Sequence, residues 1–285
     1  MMEKIIGLLR TMRPMTWISV MLTIFTGMTV ALKTVPPLTD IVFISILLPI
    51  CMVGYANSLN AYTDYRLDEI SRPKRAIPRG IVRRKTVLYL SGLLFLFSLI
   101  IALMFLDPIP SLFVIAGLLL STAYSVQPTH IKSKGVAAPM AIAAGYVFVP
   151  FLGASVMYGI LRADIIIIAL VLTLQTTGAS VSKDFIDLKG DAALDMQTLP
   201  LTVGLKKSRI IVYSGLSIPL IVFPPLALGG YLPREFLWYL VMFIWIWYIN
   251  SLYKAPPSYE KAYIHSFFFC TVSIVIPGII YAGVI

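Results

Sequence analysis

Nine apolar stretches divide this chain, and each is long enough to cross the hydrocarbon of a bilayer as a helix of about 20 residues. They run near residues 14–32, 41–63, 86–106, 109–126 and 136–158, then 163–182, 209–228, 235–253 and 263–285. A membrane barrel would instead show short alternating segments, and none occurs. The first stretch is too long for a signal peptide and lacks a small-residue cleavage site, so it reads as a retained span. Composition agrees. Charged residues make up 13% of the chain, whereas a soluble surface needs roughly 25–35%. Disordered and fibrous classes fall to the 59% hydrophobic content. The expected fold is an all-α integral membrane protein, a single polytopic domain over residues 1–285 with about nine transmembrane helices in a bundle.

Nine spans place the termini on opposite sides. Twenty of the 23 Lys and Arg residues then fall on one side, with only Lys33, Arg162 and Arg234 on the other. Basic residues concentrate in cytoplasmic loops, so the N-terminus is expected in the cytoplasm and the C-terminus opposite. The net charge of +10 thus reports topology and implies no nucleic-acid partner. Two long cytoplasmic connections, 64–85 and 183–209, are expected to cap a functional site. The lone Cys51 and Cys270, with His130 and His265, have no spacing suited to a disulfide framework or a zinc site.

Seven of the 13 acidic residues gather after the second and sixth stretches. Asn60, Asp64 and Asp68 recur every four residues, with Asn57 three positions earlier, so a continuing helix presents them as one stripe. Asp184, Asp187 and Asp191 share a face in the same way, and Asp195 is expected to extend it. Like charges at this spacing repel, and carboxylates at a membrane edge call for a partner. A divalent cation supplies one. Mg²⁺ takes oxygen ligands, keeps several waters, and bridges carboxylates to a phosphate-bearing substrate. Pro73, Pro78 and Gly80 make an ordered turn of the run from Arg72 to Gly80. Its arginines, with Lys132 after the fourth stretch, can reach phosphate oxygens.

These runs resemble the UbiA superfamily of intramembrane prenyltransferases. Asn60-Ala-Tyr-Thr-Asp64-Tyr-Arg-Leu-Asp68, followed by Arg72-Pro73-Lys74-Arg75-Ala76-Ile77-Pro78-Arg79-Gly80, is similar to the family's first motif. Lys183-Asp184-Phe-Ile-Asp187-Leu-Lys-Gly190-Asp191, then Thr198-Leu199-Pro200 and Gly204, is similar to its second. Tyr124-Ser125, Pro128 and Lys132 also look like a family run. Ala61 and Ala76 depart from the pattern, as do Asp195 and the Ala179-Ser180 pair, where ether-lipid members often carry Arg-Glu.

The resemblance implies transfer of a prenyl group, C20-type, from a prenyl diphosphate to a lipophilic acceptor, with diphosphate released. Asn60, Asp64 and Asp68 would hold one Mg²⁺, and Asp184, Asp187 and Asp191 a second, with Mn²⁺ as an alternative metal. Arg13, Asn57, Asn60, Arg72, Arg75, Lys132 and Lys183 would bind diphosphate or acceptor. Asp64, Asp68, Asp187, Asp191, Lys132 and Tyr124 would carry catalysis, Tyr124 beside the allylic cation. Acceptors compatible with the resemblance are a glycerol-phosphate ether lipid, a quinone-precursor aromatic and a tetrapyrrole. The tail is expected among the helices, with Ala141–Tyr146, Phe148 and Phe151 as wall residues. The expected location is the cell membrane, multi-pass, with the site facing the cytoplasm and no protein partner implied. The rival class is a polytopic transporter with acidic cation sites at its cytoplasmic rim.

Overall fold

The computed structural model describes residues 2–254 and 256–284. Among these residues, nine helices are long and apolar enough to cross a membrane: Pro14–Leu32, Leu38–Thr63, Arg84–Phe105, Pro108–Ser125, Ala137–Val156, Ala163–Ala193, Leu205–Leu228, Arg234–Leu252 and Pro256–Tyr281. The expected spans are thus present, shifted by a few residues at several ends. The largest change is in the sixth, which runs on well beyond residue 182. The ninth ends at Tyr281, and Ile285 lies outside the described residues.

Local chemistry sets the ends. Pro14 opens the first span, where a missing N–H costs nothing, and Arg13 before it takes a left-handed φ of 50°. That conformation turns the chain out of an N-terminal helix, Met2–Thr11, which sequence reading passed over because it is too short to span. Gly7 and Thr11 are buried, and Leu8 packs with Ala76 and Val82 of the turn after the second span. The third and fourth spans are joined by a connection so short that Pro108 already begins the fourth.

Two apolar cores fill the bundle. One joins the first five spans through residues such as Met28, Leu48 and Leu118. The other is built mainly from the last four spans, around Leu172, Phe223, Tyr239 and Phe269. Bilayer tails are as apolar as leucine, so close packing rather than water exclusion joins such helices. The sixth and seventh spans illustrate this: a Cβ on Gly178 would lie 2.6 Å from the Gly215 Cα. Only two glycines facing each other allow that approach. Leu103, Ile244 and Trp247 are exposed on outer faces, as lipid contact requires.

Candidate active site

The first acidic stripe survives a break in its helix. Asp64 leaves helical geometry with ψ of 12°. Even so, the N–H groups of Asp64, Asp68 and Arg72 donate to the carbonyls of Asn60, Asp64 and Asp68, each at 2.9 Å. Asn60, Asp64 and Asp68 therefore stay in line, carried onto the short helix Tyr65–Ser71. Arg84 closes this helix end. Its Nε donates to the Tyr62 carbonyl at 2.8 Å, and its guanidinium lies 4.2 and 4.1 Å from the Tyr62 and Tyr65 ring centres. It is thus more than the topological charge that its place in the sequence suggests.

The second stripe is also helical. After a 3-10 turn at Val181–Lys183 the sixth span continues as Asp184–Ala193, so the connection expected from residue 183 begins as a helix. Asp195 does not extend the stripe. The helix has ended, and Asp195 is exposed with a left-handed φ of 51°.

Gly190 sets the distance between the two acidic helices. A Cβ there would lie 1.8 Å from the Ser71 Oγ and 2.7 Å from the Leu67 Cδ1. Gly190→Ala therefore forces the Ser71 hydroxyl and the Leu67 side chain to move, and with the Ser71 Cβ at 3.1 Å it crowds Tyr65–Ser71 against Asp184–Ala193. We expect at least about tenfold lower kcat/KM for whatever ligand bridges the stripes, since misplacement by an ångström is costly. An unchanged value, measured by steady-state kinetics, would remove this role from Gly190.

Three ion pairs organise the acids. Asp68 accepts both bonds of a fork from the Arg75 Nη1 at 2.5 and 2.8 Å. Arg72 Nη2 contacts both oxygens of Asp187, at 2.8 and 2.9 Å, and so ties the turn after the second span to the sixth. Lys132, from the connection between the fourth and fifth spans, pairs with Asp64, both side chains almost wholly buried. That connection is tied in turn to the one after the sixth span, where the Gly135 N–H donates to the Gln197 carbonyl at 2.9 Å. Asp184 and Asp191 have no ion-pair partner among the described residues.

Positive charge is crowded here as well. Burial works against the charged Asp64, but Lys132, Lys183 and Arg13 outweigh it and hold the carboxyl below its ordinary range. Burial, then the neighbouring Arg13 and Arg72, push the Arg75 guanidinium down to about 10, with Asp68 pulling the other way. The Arg13 Nη2 is buried with no partner. A cluster of cations that repel one another is a site prepared for an anion.

Beneath lies a cavity of about 360 Å³, large enough for a substantial organic ligand. Arg13, Asn57, Asn60, Arg72, Arg75, Tyr124 and Lys183 line it. A smaller recess beside it holds Lys132, Asp184, Asp187 and Asp191, and Tyr124 and Lys183 border both spaces. Nearly every expected site residue is therefore gathered at one place, with Asp64 and Asp68 joined to it through their pairs. Asn57 has a structural part too, its Nδ2 donating to the Met12 carbonyl at 3.1 Å and the Thr16 Oγ1 at 2.9 Å. Phe148 and Phe151 do not line the cavity. They belong to the packed core, where Phe151 is fully buried. Tyr263, Ser266, Phe267, Cys270 and Ile274 of the ninth span do line it. Sequence reading missed them, although their spacing of three and four marks one helical face.

The donor chemistry suits a hard cation. The Asn60 Oδ1 is buried without a partner, and the nearby donors are carboxylate oxygens. In the present arrangement no three acidic side chains converge on one point among the described residues.

The family model of the UbiA prenyltransferases matches residues 20–272, nearly the whole chain. The chain belongs to the UbiA prenyltransferase family. Among its UbiA relatives, a digeranylgeranylglyceryl phosphate synthase from Pyrococcus horikoshii is 32% identical over 73% of this chain and 74% of its own. The chloroplastic chlorophyll synthase of Arabidopsis thaliana is 30% identical over 64% of this chain. The chain spans about half the length of the plant chlorophyll synthases it matches, 47% in that case. A UbiA homologue from Archaeoglobus fulgidus, solved with DMAPP and Mg²⁺, superposes with a TM-score of 0.68 at 17% identity, over 98% of this chain and 100% of the other. That likeness establishes a shared fold, that of a multi-pass UbiA membrane protein.

Proposed function

We propose that this protein transfers a prenyl group from a prenyl diphosphate to a lipophilic acceptor within the membrane. One observation carries the proposal: two carboxylate-bearing helix ends meet, amid buried cations, at the mouth of an apolar cavity. Asn60, Asp64 and Asp68 on one side, and Asp184, Asp187 and Asp191 on the other, are the residues that would hold Mg²⁺. The metal supplies Lewis-acid charge to the departing diphosphate. Arg72, Arg75, Lys132 and Lys183 add fixed positive charge where negative charge develops. Tyr124, bordering both spaces, would stand beside the allylic carbon as the C–O bond breaks, where an aromatic ring favours positive charge. The apolar walls keep water from that carbon, so the acceptor is the nucleophile. The Lys and Arg distribution supports a site on the cytoplasmic side. The named relatives support a glycerol-phosphate lipid or a tetrapyrrole as acceptor, with a quinone-precursor aromatic as the third choice.

The test is label transfer. Purified protein in nanodiscs receives labelled geranylgeranyl diphosphate, Mg²⁺ and each acceptor in turn. We expect transfer to one of them, abolished by a chelator and restored by Mg²⁺ or Mn²⁺. Folded protein that neither transfers nor binds the diphosphate would overturn the proposal in favour of a transporter.

A further inference from the structure

The cavity is much deeper on some spans than on others. On the second span its wall runs from Asn60 to Ile44, about 24 Å at the helical rise. On the fourth it reaches Pro110, next to the far-side connection, but on the sixth it goes no further from the mouth than Thr176. The deep end is therefore walled chiefly by the second, fourth and fifth spans, through Ile44, Leu48, Pro110, Val114 and Ala154, with Leu106 from the connection after the third. No charged residue lines that end. The cations stand only at the mouth, so a chain tethered there by its diphosphate has one apolar direction to extend.

Gly145 stands between Ala141, near the mouth, and Ala154, near the deep end of the fifth span. A Cβ there would meet only the Leu120 Cδ2, at 3.8 Å. Two other lining glycines differ. A Cβ on Gly117 would press the Met52 Cε at 2.8 Å, and one on Gly153 the Phe113 Cβ at 2.9 Å. At Gly145 the space left free by the missing side chain opens onto the passage to the deep end. We infer that Gly145 sets the longest prenyl chain the protein accepts, by leaving the passage to the lower half of the cavity open. This rests on the prenyltransferase reading above. The substrate class it names is a long prenyl diphosphate whose distal isoprene units pass Gly145.

The test is a graded series, Gly145→Ala, Gly145→Val and Gly145→Leu, assayed with geranyl and geranylgeranyl diphosphate on one acceptor. An added Cβ makes only an ordinary contact with Leu120, and Ala favours a helix over Gly, so the series begins with a variant expected to fold. We expect the geranylgeranyl-to-geranyl ratio of kcat/KM to fall stepwise, by more than about tenfold at Leu, since each methylene that loses its pocket is costly. Geranyl transfer should persist, which also shows that the variants fold. An unchanged ratio, or equal loss of both substrates through the series, overturns the inference. A wild type that transfers neither prenyl group overturns the parent reading instead.

Discussion

Asp64→Asn removes prenyl transfer and destabilises the fold together, and adding Lys132→Met restores the stability alone. Asp64 and Lys132 are 7% and 6% exposed, so losing the carboxylate leaves a buried ammonium without its counter-charge. Breaking such a pair from one side costs about 3–5 kcal/mol. Replacing Lys132 by an apolar side chain of similar length removes the stranded charge, and a buried pair exchanged for apolar packing is often neutral. Activity does not follow. The carboxylate proposed to hold metal is still missing, and the expected loss is at least about a hundredfold in kcat. Thermal unfolding in detergent reads the first effect and labelled-prenyl transfer the second. A double variant that regains activity with stability would make Asp64 a purely structural residue.

Arg72→Ala raises KM for the diphosphate and lowers kcat, costing about a hundredfold in kcat/KM. Arg72 is the residue whose ion pair joins the two acidic helix ends across 115 positions of sequence. It also lines the cavity, so its removal takes away a diphosphate contact and a brace. Arg72→Lys separates these parts. Lysine keeps the charge on a single nitrogen and loses the other guanidinium donors, so it cannot hold Asp187 through one nitrogen while presenting others to a diphosphate. We therefore expect Lys to recover part of the diphosphate affinity while kcat stays low. Kinetics over a matrix of diphosphate and Mg²⁺ concentrations measures both. Full recovery with Lys would reduce Arg72 to a simple charge.

Much of this was legible in the residues, for identifiable reasons. A span is a local composition, so hydropathy found the helix over Pro14–Leu32 at both ends. The four-residue spacing of Asn60, Asp64 and Asp68 is likewise local, and the backbone ladder preserves it across the break. What failed depended on distant packing. Nothing near Arg72 says that its partner is Asp187, or that Lys132 meets Asp64. Phe148 and Phe151 sit in an apolar span like the lining residues, and only the position of the sixth span decides that they face the core. Asp195 keeps the spacing of the second stripe, but the helix has already ended at Ala193. The helix Met2–Thr11 escaped because a search for spans does not look for short amphipathic segments.

The three ion pairs have a consequence for how ligands would load. Before substrate arrives, Asp64, Asp68 and Asp187 are held by the same cations that a diphosphate would recruit. On the proposed reading, metal and diphosphate would load at these residues by an exchange of partners, each taking one half of a pair. Metal taking Asp64, Asp68 or Asp187 alone would strand the paired cations, and diphosphate taking those cations alone would strand the carboxylates. Each ligand thus completes the exchange for the other, which is a favourable coupling free energy and by linkage acts equally in both directions. On the proposed reading, Mg²⁺ tightens diphosphate by the same factor that diphosphate tightens Mg²⁺. Release after transfer would be coupled in the same way, with the original pairs free to re-form.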